Sequence, residues 1–109
     1  MSAHDVIDQR SLVFGRAIAD RLRVHPEYIA AARARLNRWY ETASPGVRIT
    51  LDEWRRELDG SLESVLRLLT STDDRAIRLR QSNPFPGVLT EVERTAILRQ
   101  FDRHDTAAA

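Results

Sequence analysis

Residues 61–81 read SLESVLRLLTSTDDRAIRLRQ, and this stretch decides the fold class. Leu62, Val65, Leu66 and Leu69 follow the i, i+3, i+4, i+7 spacing that puts apolar side chains on one helix face, and Leu68 widens that face. Ser61 precedes the run and can cap it. This segment is expected to be the most buried element. The polar break at 70–74 ends it, because Ser, Thr and Asp bond their own backbone more readily than they continue a helix. Ser71 or Thr72 is the expected cap of a second helix from about Asp73 to Gln81, in which Arg75, Arg78 and Arg80 are more prominent than the apolar Ala76, Ile77 and Leu79.

The same period continues on both sides. Downstream, Ser82–Gly87 holds two prolines and a glycine and reads as a rigid turn carrying Phe85. Thr90 and Glu93 then make a capping box for a last helix lined by Val92, Ala96, Ile97 and Phe101. Asp102–Ala109 has little to pack, and 106–109 is expected to fray. Upstream, Ile7, Ser11, Phe14, Ile18 and Leu22 mark a first helix that stops near His25-Pro26. Ile29, Ala32, Leu36, Trp39, Tyr40 and Ala43 form the stripe of a second helix. Ser44-Pro45-Gly46 reads as a turn, Val47–Ile49 as a short extended piece, and Thr50 with Glu53 as the capping box of a helix carrying Leu51, Trp54 and Leu58 and ended by Gly60. The expectation is all-α: a compact bundle of five or six short helices, one domain over 1–105 and a frayed tail. Phe14, Ile18, Leu22, Ile29, Leu36, Trp39, Trp54, Leu58, Val65, Leu66, Leu69 and Ile97 should form its core.

Composition narrows the chemistry. The 109 residues carry 17 basic and 16 acidic side chains, a formal net charge of +1, so bulk charge gives no strong argument for nucleic acid or acidic lipid. Every basic residue is arginine, spread along the whole chain, which fits a GC-rich coding sequence. The absence of cysteine excludes disulfides, thiolate metal sites and a cysteine nucleophile. No apolar run approaches the ~18 residues that span a bilayer, and no secretory signal is evident, so a cytoplasmic protein is expected. His4, His25 and His104 are too scattered for a metal site. Asp52-Glu53 and Asp73-Asp74 sit at expected helix starts, where the helix dipole accounts for them. No catalytic or cofactor-binding constellation emerges, and the chain is expected not to be an enzyme.

Two features point to a macromolecular partner. The helix–turn–helix outline of 61–81, with Arg75, Arg78, Arg80 and Gln81 on its second helix, suits base edges and phosphates. The run LRQSNPFPGVL at 79–89 joins that helix to a proline-fixed loop. Phe85 there either plugs the core or, with Arg78, Arg80 and Gln81, presents a docking patch. Tyr40 borders its stripe and is a further candidate anchor.

At these residues the chain resembles small all-helical bacterial antitoxin-like proteins encoded in two-gene toxin–antitoxin modules. The resemblance runs through RSLVFGRAIADRLRVHPE at 10–27, ARARLNRWYE at 32–41, LDEWRREL at 51–58 and RAIRLRQSNPFPGVLTEVER at 75–94, and its most specific part is RQSNPFPGVL at 80–89. Pro86 departs from it, where a small residue such as alanine is expected. The resemblance implies no catalysis and no cofactor, but tight binding and neutralisation of a cognate toxin enzyme of nucleotidyltransferase-like class. It assigns no individual interface residue; Arg75, Arg78, Arg80, Gln81, Phe85 and Tyr40 are the candidates from the residues themselves. A helix-turn-helix regulator of its own operon, and a scaffold or subunit without activity of its own, are the alternatives.

Overall fold

The computed structural model describes residues 3–85 and 87–108, with side chains from 6 to 101 apart from residue 86. Six helices follow in order: α1 (Ala3–Val24), α2 (Tyr28–Thr42), α3 (Pro45–Asp59), α4 (Leu62–Thr70), α5 (Asp74–Arg80) and α6 (Glu91–Ala108). There is no strand among the described residues. The protein is an all-α bundle, as the 3.6-residue period requires.

Helix α1 is the centre of the bundle. It packs on α4, α5 and α6, while α3 joins α2 to α4. Ile18, Ala19 and Leu22 of α1 meet Val65, Leu66, Leu68 and Leu69 of α4 in one core that also takes Leu36, Leu51, Trp54, Leu58, Leu79 and Phe85. The approach of α1 to α4 depends on Gly15: a Cβ there would lie 2.0 Å from the Leu69 carbonyl oxygen. Only glycine lets the two helices come this close.

The caps explain most boundaries. Ser61 accepts from the Ser64 amide at 3.1 Å and starts α4. Thr90 and Glu93 make the expected capping box, each side chain bonded to the other's backbone N–H. The Arg21 guanidinium of α1 reaches both Glu93 oxygens at 2.8 and 2.7 Å, so the same carboxylate ties α6 to α1.

Three local expectations are corrected. Residues 47–49 are not extended and Thr50 is not a cap; α3 begins at Pro45 with Ser44 accepting from the Val47 amide. Serine at the cap and proline at the first helical position form a helix start as readily as a turn. Asp73, not Ser71 or Thr72, caps α5, its Oδ1 accepting from the Ala76 amide at 2.8 Å, and Ser71 instead donates to the other Asp73 oxygen. Trp39 is 36% exposed and outside the core. Phe14 and Ile29 are partly buried and pack against it. Helix α6 is continuous to Ala108; the side chains of 106–108, and Ala109 altogether, lie outside the described residues, as does Pro86 with the effect expected of it. No helix among the described residues is long and apolar enough to cross a membrane.

Candidate interaction cleft and arginine face

The segment 80–89, the most unusual run of the sequence, forms one wall of an open cleft of about 370 Å³. Its loop is built locally. Asn83 accepts from the Phe85 amide at 2.8 Å in an Asx turn, and the Val88 amide donates back to the Phe85 carbonyl. This tight path turns Phe85 inward. Its ring meets the Trp54 indole edge-on at 6.2 Å, and the Trp54 N–H donates to the Leu79 carbonyl at 2.7 Å. Both rings are fully buried. The core-plug reading of Phe85 therefore describes its place, although the ring still contributes to the floor of the cleft.

The opposite walls come from Phe14 and Ile18 of α1 and Leu98 of α6. At the rim, Ile7 and Leu98 are 42% and 37% exposed. Arg10, Arg80 and Arg94 supply charge, and no carboxylate lines the cleft among the described residues.

Arg80 is the unusual member. Arginines are rarely buried unless paired, yet this one is only 5% exposed. Its Nε donates to the Ser11 hydroxyl at 3.1 Å, and its Nη1 to the carbonyls of Leu68 at 3.0 Å and Ser71 at 2.6 Å. It thereby satisfies the carbonyl end of α4 and locks α5 to α1. Burial draws its guanidinium below the ordinary arginine value, and the negative charges of Asp73 and Asp8 work the other way. None of the described residues accepts from Nη2.

The other candidates fall on different surfaces. Arg75 and Arg78 turn toward α3. Arg78 forks onto Glu53 at 3.1 and 2.9 Å, and Arg75 reaches Glu57 at 3.0 Å and Glu53 at 3.6 Å. The Arg78 hydrogen bond holds Glu53 below its usual carboxylate value, and a hydrogen bond from Ser64, then one from Arg75, does the same for Glu57. Tyr40 is half-buried between the guanidiniums of Arg48 and Arg55, 4.8 and 4.7 Å from its ring centroid. Arg48 also donates to the carbonyls of Tyr40 and Glu41 and closes the end of α2. Gln81 is exposed and lines the cleft. The six candidates thus separate: Arg80, Gln81 and Phe85 meet at the cleft, Arg75 and Arg78 form an ion-paired face with α3, and Tyr40 stands on the α2–α3 corner.

Sequence reasoning did not single out Ile7, Arg10, Ser11, Arg94 and Leu98 as site residues. Their one signal is position at the edge of an apolar stripe, which does not say what lies across from it. His25 bonds Glu27 at 2.8 Å and stacks on Tyr28, and no cluster of three metal-ligating side chains occurs among the described residues. His4 and His104 have side chains outside the described set. The chain matches no family model, no curated protein and no solved structure.

Proposed function

We propose that the protein is an antitoxin-like binding module that neutralises a cognate toxin enzyme, of nucleotidyltransferase-like class, by occupying its surface. The observation that carries this reading is the cleft: a preformed concave surface with apolar flanks and three arginines, placed on rigid helices around the segment 80–89. Such a surface offers area and charge complementarity to a protein while its helical frame limits the ordering entropy of association. The resemblance through RQSNPFPGVL supplies the biological class. Bacterial origin and a cytoplasmic setting belong to the same proposal.

DNA binding by the α4–turn–α5 pair is the alternative. It draws less support, because Arg75 and Arg78 would have to leave Glu53 and Glu57 to reach phosphates, and Asp73 and Asp74 stand at the start of the would-be recognition helix. The test is to purify the chain with the product of its neighbouring gene. Co-elution as one complex, with the neighbour's toxicity abolished, is expected. Separate elution with undiminished toxicity would reject the reading, and a salt-sensitive shift of promoter DNA lost in Arg75→Ala/Arg78→Ala would favour the alternative.

A further inference from the structure

Resting on the reading of the chain as a partner-binding protein, we propose that a second groove, between α2 and the 84–88 loop, receives a partner segment in which a carboxylate stands beside an aliphatic side chain. The carboxylate seats on Arg35, and the aliphatic group packs against Ala31, Val88 and Trp39. Three observations carry this. The first is the state of Arg35. Among the described residues, the arginines that are buried or half-buried are Arg21, Arg35, Arg48, Arg55, Arg80 and Arg94. Arg21 and Arg55 pair with carboxylates, Arg48 and Arg80 bond backbone carbonyls, and Arg94 is also engaged. Arg35 alone of these makes no hydrogen bond or ion pair with the described residues. Its guanidinium forms part of the groove wall, with Nη2 3.3 Å from where a Cβ on Gly87 would stand. The five N–H donors of a guanidinium form a fixed fork that fits a carboxylate, and here the described chain engages none of them.

The second is charge. No carboxylate lines this groove among the described residues, and the sequence 81–90 contains none. Helix α2 carries only Glu41, which follows Arg35 by six residues and so lies about 120° round the helix from it. Glu27, just before α2, is bonded to His25. Arg38, one turn on from Arg35, is a further arginine without a bonded partner among the described residues. Positive charge on this flank is therefore uncompensated and selects an anionic group.

The third is the surface around that charge. Trp39 follows Arg35 by four residues and so stands on the same flank one turn further along. It is 36% exposed, and its indole N–H has no acceptor among the described residues, whereas that of Trp54 bonds the Leu79 carbonyl. Tyr28 precedes Arg35 by two turns on this flank and lines the groove with it. Trp, Tyr and Arg are the side chains that dominate binding where they cluster. At about 230 Å³ the groove takes a single side chain. One exposed ring and a space of that size suit a polypeptide better than a nucleic-acid strand, which needs successive stacking platforms. Phe85 lines both this groove and the α1–α6 cleft, so the 84–88 loop is a ridge that one partner can straddle.

The test uses the full chain, isotope-labelled, and two blocked peptides at millimolar concentration, acetyl-Leu-Glu-Leu-amide and acetyl-Leu-Gln-Leu-amide. The Glu peptide is expected to shift the Trp39 indole N–H and the Gly87 and Val88 amides, and the Gln peptide to shift them far less. Arg35→Gln breaks no bond within the described chain; it should weaken the Glu peptide by about tenfold at unchanged Tm, with Arg35→Lys keeping part of the affinity. Equal shifts from the two peptides, shifts confined to other surfaces, or silence of both would each overturn the proposal. So would saturation by a short oligothymidylate while the peptides are silent, which would assign the groove to nucleic acid. Failure here is separable from failure of the neutralisation reading. A complex with the neighbouring gene product that is indifferent to Arg35→Gln and Trp39→Ala removes the groove inference alone. A seated Glu peptide with no such complex removes the neutralisation reading alone.

Discussion

Gly15→Ala separates packing from propensity, because the two push in opposite directions. Within a helix, alanine is favoured over glycine by about 1 kcal/mol, so a Gly15 held only by its own helix would make the variant more stable. The structure dictates the reverse. The added Cβ would stand 2.0 Å from the Leu69 carbonyl oxygen and 3.1 Å from Arg80 Cδ, where ordinary contact begins near 3.4 Å. The first neighbour is backbone in the middle of the principal helix contact and cannot rotate away. Overpacking a core of this kind costs about 1–3 kcal/mol, and a backbone obstacle places the cost at the upper end. After the propensity gain, the expected net loss is about 2 kcal/mol, a fall in Tm of roughly 8–16 °C for a domain of this size. Thermal and urea unfolding followed by far-ultraviolet circular dichroism read this directly. Gly46→Ala, at the start of α3 with nothing within 4 Å of the new Cβ, is the control and should leave Tm unchanged or slightly raised. If Gly15→Ala melts at or above the parent temperature, the α1–α4 approach is wrong, and with it the seating of Arg80 and the cleft.

Four further outcomes follow from the same contacts. Arg80→Met strips three hydrogen bonds and strands the Leu68 and Ser71 carbonyls; urea titration should show a loss of about 2–4 kcal/mol, with Arg80→Lys losing less because one ammonium replaces part of the fork. Phe85→Ala opens a cavity beside Trp54 and should lower stability by about 3–5 kcal/mol, which a chemical-denaturation midpoint will register. Trp39→Phe should leave a blue-shifted, acrylamide-resistant emission from Trp54, while Trp54→Phe leaves a red-shifted, readily quenched one from Trp39. Glu53, Glu57, Asp73 and Glu93 all have lowered folded-state values, so their contribution to stability is complete above the unfolded values of 4.5 for Glu and 3.8 for Asp and disappears as pH falls through the lower folded values. Tm should therefore be flat with respect to these groups from neutrality to about pH 5 and decline below about pH 4.5, and Glu53→Gln should shallow that decline.

The helical class and most boundaries were legible because they depend on local chemistry. Leu62, Val65, Leu66 and Leu69 announce a buried face by spacing alone, and Ser61, Gly60 and the Thr90–Glu93 pair mark ends through bonds spanning three residues. The α3 start was misread because Ser44-Pro45-Gly46 suits a turn and a cap equally, and the choice is made by Arg48 bonding back to the end of α2. Trp39 shares a stripe with Leu36, but a helical wheel cannot tell the centre of a face from its edge, and the edge was left to solvent.

The site was less legible than the fold. The run 80–89 stands out through its prolines and Phe85, so one wall of the cleft was visible in the sequence. Its other walls lie some 70 residues earlier and on the next helix, and nothing local pairs Ser11 with Arg80 across 69 positions. An arginine in a sequence defaults to solvent. Arg80 departs from that default only because α4 ends with carbonyls in need of a donor just where α5 passes, a coincidence of tertiary packing. Arg75 and Arg78 look identical to it in sequence and face the other way, toward α3.

We propose that this chain works by presenting the α1–α6 cleft to another protein. Calorimetric titration of the neighbouring gene product into the parent chain and into Leu98→Glu tests it most directly. The expected result is a tight complex with the parent and an affinity about tenfold or more weaker for the variant at unchanged Tm. Heats at the level of dilution for the parent, or equal affinities for both, would contradict it.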